Sequence, residues 1–282
     1  MDRKLIVNAD DYGRSPGVSQ GILQAHLEGI VTSTTVMINQ PGVEAQLLEA
    51  LACPDLGIGL HLVFTAGQPL LPPTDIPSLV DDEGFFLDQH TLWAWAGSVS
   101  SAQLRSELTT QVERFAALAG QLPDHLDCHH FVHLFPPFFQ VYAELAAQFR
   151  LPLRVPFPPR TDFQKAIGFL PFLEGFPYDL VRGMIVTNSA LLRARGLAHP
   201  DRFISTFYGQ EALTLDHLLH LLGTLPAGTS ELMCHPGYDD PALAPSSYRQ
   251  EREAELALLT HPTVRRCVKE AGVELVTFDV LN

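Results

Sequence analysis

Positive charge is scarce in this chain. Only 18 lysines and arginines stand against 32 aspartates and glutamates, a formal net charge of −14 over 282 residues. Such a surface repels phosphate backbones and anionic lipids, which weighs against nucleic-acid and membrane-surface roles. A neutral or cationic substrate suits it better. Cysteine is sparse as well: Cys53, Cys128, Cys234 and Cys267 are scattered with no CxxC pair. In a chain this long, that reads as reduced thiols in a cytoplasmic protein rather than a disulfide frame. No 18 apolar residues run together, and Met1-Asp2-Arg3-Lys4 leads straight into Leu5-Ile6-Val7 without the apolar core of a signal peptide. A soluble protein is expected. Repeats and low-complexity segments are missing, and no linker parts the two halves. Residues 1–282 therefore read as one domain, with 46% hydrophobic residues to fill its core.

What is present is an alternation of short apolar runs with amphipathic stretches. Strands are expected over 4–9, 34–38, 56–62, 125–128, 153–155, 203–207, 231–234 and 273–278. Between them, Ser15-Pro16 opens a helix as N-cap and first turn, and Gly29 closes it. Further helices are expected over 43–51, 101–119, 137–149, 214–222 and 248–259, and a short one up to 271. Residues 63–98 read as a long loop, and 156–200 as irregular apart from a helix near Leu191. About seven strand–helix units predict a largely parallel sheet. A closed or nearly closed irregular (β/α) barrel is favoured over a doubly wound open sheet.

Polar residues cluster at the ends of these strands. The first ends in Asp10-Asp11, the third in Gly59-Leu60-His61, the next in Asp127-Cys128-His129-His130, and another in His235-Pro236-Gly237. In a parallel barrel the C-terminal strand ends share one face, so these groups would converge there. A carboxylate with two imidazoles and open positions is a common ligand set for a catalytic divalent metal. Each element has a plainer explanation. The aspartates could cap a helix, His61 could be a hydrogen-bonded core residue, and His235 could start a turn. Among His129, His130 and His133, one could serve only to support a ligand.

The motifs resemble the YdjC-like carbohydrate deacetylases, which include chitooligosaccharide deacetylases. The resemblance rests on Leu5-Ile-Val-Asn-Ala-Asp-Asp-Tyr-Gly with Ser15-Pro-Gly-Val, Gly29-Ile-Val-Thr-Ser-Thr-Thr, Gly57-Ile-Gly-Leu-His-Leu, His125-Leu-Asp-Cys-His-His-Phe-Val-His-Leu-Phe-Pro and Glu231-Leu-Met-Cys-His-Pro-Gly-Tyr. It implies an irregular (β/α) barrel related to the polysaccharide deacetylases, and a divalent metal, magnesium or zinc, held by Asp11, His61 and His129. Family members usually have Ser and His where this chain has Cys128 and Phe131. That departure keeps His130 open as the alternative to His129, with His133 as a further candidate or supporting group. The implied reaction removes the N-acetyl group of an amino sugar or short oligosaccharide, with Asp10 as general base and His235 as acid. A glycoside hydrolase would need two well-placed acids from different strands. A non-catalytic binder would not need Asp10 beside Asp11. A homo-oligomer is compatible with the sequence.

Overall fold

The computed structural model describes residues 2–157, 177–244 and 246–282. Seven strands form one sheet: β1 (Arg3–Tyr12), β2 (Ser33–Val36), β3 (Gly57–Leu62), β4 (Leu126–Cys128), β5 (Arg202–Ile204), β6 (Gly228–Cys234) and β7 (Val273–Leu275). Every pairing is parallel, in the order β4-β3-β2-β1-β6-β5. Strand β7 joins β1 beside Arg3–Leu5, below the stretch where β2 pairs with Asn8–Tyr12. The ring is incomplete. Between its edges β4 and β5 runs the segment around Leu153, which bridges Leu126 and donates its backbone N–H to Ala198. The strand expected over 153–155 is thus a single bridge, and the architecture is a parallel half-barrel with helices rather than a closed one.

The helices follow the strands as the alternation predicts. They are α1 (Pro16–Leu27), α2 (Val43–Leu51), α3 (Gln89–Ala94), α4 (Ser101–Ala119), α5 (Pro136–Phe149), α6 (Tyr178–Arg195), α7 (Leu215–Gly223), α8 (Gln250–Leu259) and α9 (Pro262–Glu270). Ser15 caps α1 by accepting from the Val18 backbone N–H, with Pro16 in the first turn. The long loop carries the one-and-a-half-turn α3, capped by Asp88. Helix α6 extends well beyond the short helix expected near Leu191. Val181, Met184, Ile185 and Leu192 form its buried stripe, which Asn188 interrupts. Asn188 is buried and donates to the Leu134 carbonyl, so a polar residue breaks the apolar period that marks a helix in sequence. The rest of the irregular region, 158–176, lies outside the described residues.

Strand β1 is the axis of the sheet, and its apolar residues Leu5, Ile6, Val7 and Ala9 are fully buried. It also runs further than expected, through both aspartates. Its pairing slips there: Ala9 lies opposite Thr34 but Tyr12 opposite Val36, so three steps on β1 match two on β2. The extra residue makes a bulge, and Asp11 takes a left-handed φ of 74°.

The turn after β6 is held against α1 and α8 through backbone contacts. Gly237 N–H donates to the Arg252 carbonyl, and Tyr238 N–H to that of Gly17. A Cβ on Gly21 would stand 2.5 Å from the Gly237 Cα, and no flexible side chain is there to give way. We expect Gly21→Ala to cost about 1–3 kcal/mol of stability through overpacking, read as a lower urea midpoint at an unchanged slope. A wild-type midpoint would show that the helix and turn are not seated on each other.

Candidate active site

The polar strand ends meet in a cleft of about 480 Å³ at the C-terminal edge of the sheet, lined by Asp10, Asp11, Arg14, His61, His129, His130, Tyr208, His235, Tyr248 and Arg252 among others. In an extended strand neighbouring residues face opposite sides. The bulge at Asp11 cancels that alternation, which is how both aspartates come to line one cleft.

Three donors crowd together in it. Asp11 Oδ1 lies 3.5 Å from His61 Nε2 and 3.1 Å from His129 Nδ1, and the two imidazole nitrogens are 3.2 Å apart. Ligands bound at 2.0–2.1 Å sit about 2.8–3.0 Å from their neighbours around an octahedral ion and about 3.3–3.4 Å around a tetrahedral one. Two edges of the triangle, at 3.1 and 3.2 Å, fall within that span and the third, at 3.5 Å, lies just beyond it. All three residues are buried, so together they could hold a metal ion. His61 is oriented from behind: its Nδ1 is 2.7 Å from Asp127 Oδ1, and the Thr35 hydroxyl donates to Asp127 Oδ2. A carboxylate behind a ligating imidazole fixes its tautomer and ring direction. Asp10, His61 and Asp127 form a second close group, but Arg154 already engages both of its carboxylates.

The structure does not bring the other histidines into the triangle. His130 stacks over His129, with ring centroids 3.7 Å apart, and its Nδ1 pairs with the Thr65 hydroxyl. His133 is buried against Tyr142 and Phe139. Their spacing would share one face of a regular helix. Left-handed φ values at His130 (60°) and Phe131 (55°) break that regularity and turn His133 into the aromatic core.

Behind the cleft lies a buried cation that the sequence reading missed. Arg154 donates from Nη1 and Nη2 to the two Asp10 oxygens, both at 2.6 Å, and from Nε to Glu231 at 2.7 Å, while Asp127 Oδ2 lies 3.0 Å from Nη1. Asn8 donates to Glu231 and is paired with His125. The available signal was a lone arginine inside the apolar run 151–155, because a buried charge needs a partner. Arg252 and Arg14 both donate to Asp11 Oδ2, the oxygen turned away from the histidines.

These contacts set the charges. Burial opposes the Asp11 charge, but Arg252, Arg14 and His129 outweigh it and hold its carboxyl well below the usual range. Asp10 goes the other way: burial lifts it to about 6, although Arg154 resists. Burial lowers His129 to about 4, leaving its lone pair free. For His61 burial is overcome by Asp127, Asp10 and Asp11, and its value rises. His235 stands opposite Asp10, Nε2 to Oδ2 at 3.8 Å, and burial together with Arg252 and Arg154 pushes it well below its ordinary value. Its backbone N–H donates to Glu255, which also accepts from the Tyr248 hydroxyl. Burial lifts Glu255 to about 8. The Tyr248 ring stacks on Tyr208 with centroids 4.4 Å apart.

Comparison with known proteins places this cleft in context. The sequence model described as YdjC-like protein matches residues 4–270. A carbohydrate deacetylase of Geobacillus stearothermophilus is 39% identical over 99% of this chain and 98% of its own length. A chitooligosaccharide deacetylase of Proteus mirabilis is 35% identical over the full length of both. A crystal structure from Enterococcus faecalis, of a protein named for cellobiose-phosphate cleavage, superposes with a TM-score of 0.82 at 30% identity, covering 100% of this chain and 99% of that one. The CE4 domain of a multidomain xylanase, from the hindgut metagenome of Trinervitermes trinervoides, shares the fold at 7% identity and a TM-score of 0.50, over 100% and 90% of the two chains.

Removing Arg154 would strand Asp10, Asp127 and Glu231 together in the core. For Arg154→Met we expect a loss of about 3–5 kcal/mol near neutral pH. Each stranded carboxyl would then have a folded-state value above its unfolded one. Such a group favours the folded state below about pH 4, and that help is lost as pH rises toward the folded value. In the wild type this already holds for Asp10, over the interval up to about 6. The deficit of the variant should therefore widen between pH 5 and pH 8 in denaturant titrations. A deficit that narrows with rising pH would contradict the charge assignment.

Proposed function

This chain belongs to the YdjC-like protein family, and on that footing we propose that it is a carbohydrate deacetylase that hydrolyses the N-acetyl group of an amino sugar or short oligosaccharide. The observation that carries the reading is the triangle of Asp11, His61 and His129 with Asp10 and His235 beside it in one cleft. The names of the curated relatives support the substrate class. Asp11, His61 and His129 would hold a divalent cation, zinc or magnesium, and the chemistry it would supply is Lewis acidity toward the acyl group.

The remaining steps belong to the chain's own residues. Asp10 accepts the proton of the attacking water. Arg154 occupies one lone pair on each Asp10 oxygen, and a carboxylate keeps further lone pairs for that proton. The water oxygen bonds to the carbonyl carbon, and the carbonyl electron pair moves onto its oxygen. When the C–N bond breaks, the sugar nitrogen needs a proton. His235 is neutral at rest, since burial and the nearby arginines disfavour its charge. The proton it delivers is then the one Asp10 received, relayed by a bridging water because the 3.8 Å between them is too long for a direct hydrogen bond. Acetate and a free amino sugar result, with no net proton drawn from either residue.

A glycoside hydrolase is disfavoured by the same geometry. Asp10 and Asp11 are the carboxylates lining the cleft, they are adjacent in sequence, and both are engaged by arginines. They do not flank a scissile bond from two sides as paired acids must. A non-catalytic binder would have no use for Asp10 beside the triangle.

The two aspartates should separate by experiment. Asp11→Asn is expected to lose metal and acetate release together. Asp10→Asn should keep the metal and lose about two to four orders of magnitude in kcat. Asp127→Asn, which unfixes His61, should weaken metal affinity about 10–100-fold. Metal content and acetate release from a panel of N-acetylated sugars, with and without chelator, are the measurements. Activity unchanged by complete chelation would remove the metal from the reading, and a near-wild-type Asp10→Asn would remove the base.

A further inference from the structure

One charged donor in the cleft has no partner. Arg252, on the first turn of α8, is 1% exposed, yet it lines the cleft beside Asp11 and His235. Its Nε donates to the Tyr248 carbonyl at 3.1 Å, its Nη2 donates to Asp11 Oδ2, and its guanidinium carbon lies 5.9 Å from the Tyr248 ring centre. Nη1 is buried and makes no hydrogen bond among the described residues. An unpaired buried cationic donor is costly, and a structure keeps one where a ligand will meet it. The guanidinium is planar and held at its other two nitrogens, so Nη1 is fixed in direction before anything binds.

We propose that Arg252 Nη1 is an anion-binding position for the acyl oxygen, a second electrophile next to the Asp11, His61 and His129 centre. The inference rests on the deacetylase reading. Amide hydrolysis places negative charge on that oxygen twice. It appears first when water attacks and the carbonyl pair moves onto oxygen, and again in the carboxylate left once the C–N bond has broken and nitrogen has taken its proton. A preset guanidinium N–H serves both, and a donor aimed at developing charge acts on the barrier rather than on substrate binding. Arg14, which also grips Asp11 Oδ2, leaves Arg252 free of sole responsibility for holding that ligand.

The probes are acetate and its neutral isostere acetamide, titrated by calorimetry into chelator-treated protein and into protein saturated with zinc or magnesium. The wild type should prefer acetate by about tenfold or more in both states, the worth of one charge-assisted hydrogen bond. Arg252→Gln should lose that preference. At saturating metal, its kcat for a neutral N-acetyl sugar should fall about 10²–10³-fold with KM changed little. Arg252→Lys should recover part of the loss. Equal acetate affinity in wild type and Arg252→Gln overturns the proposal, as does a kcat fully restored by adding metal, which would reduce Arg252 to a clamp on Asp11. If Arg252→Gln does not fold, a wild-type protein with no preference for acetate over acetamide overturns it equally. A chain that binds acetate through Arg252 but deacetylates none of the sugars supports the anion position and sinks the deacetylase reading. A working deacetylase whose acetate affinity ignores Arg252 does the reverse.

Discussion

The whole site depends on one buried guanidinium. Arg154 is fully enclosed and meets three carboxylates from three strands: Asp10 of β1, Asp127 of β4 and Glu231 of β6. Burying a charge is expensive unless it is paired and hydrogen-bonded, and each partner here would be untenable alone. The arrangement is therefore cooperative. Asp127 held by Arg154 can orient His61, and Asp10 held by Arg154 is fixed at the cleft floor. Burial gives Asp10 a raised affinity for protons even while it is ion-paired, and the nearby Asp127 charge adds to the effect.

The arginines divide the two aspartates chemically, although the residues are neighbours of identical type. Arg252 and Arg14 leave Asp11 strongly ionised, the state in which a carboxylate could bind a metal. Burial lifts Asp10 to about 6 against the pull of Arg154. Environment assigns the roles, in the manner of other paired carboxylates with separated proton affinities.

Much of this was legible in sequence, for physical reasons that can be named. The strands and first helices are short apolar runs with caps and punctuation, and such local signals survive folding. The triangle could be anticipated because its members end strands, and parallel strands gather their ends. The cations could not be anticipated the same way. Arg154 lies 144 residues from Asp10 and Arg252 lies 241 from Asp11, so their partnerships exist only in three dimensions. Helix α6 was mostly overlooked because Asn188 occupies its buried stripe for the sake of a carbonyl on another element. His133 became a candidate through its nearness in sequence to His129 and His130, and the left-handed backbone at His130 and Phe131, which sequence does not reveal, turns it away.

The bulge in β1 has a consequence for how the cleft is walled. Strand β1 is hydrogen-bonded along both edges, to β6 on one side and to β7 and then β2 on the other. The aspartate pair thus follows directly on the stretch of β1 that is paired along both edges. His235, Tyr208, Tyr248 and Arg252 belong instead to turns and to a helix on the far wall of the cleft. One wall of the cleft is set by strand backbone, and the other by side chains that hydrogen bonds between turn and helix hold in place.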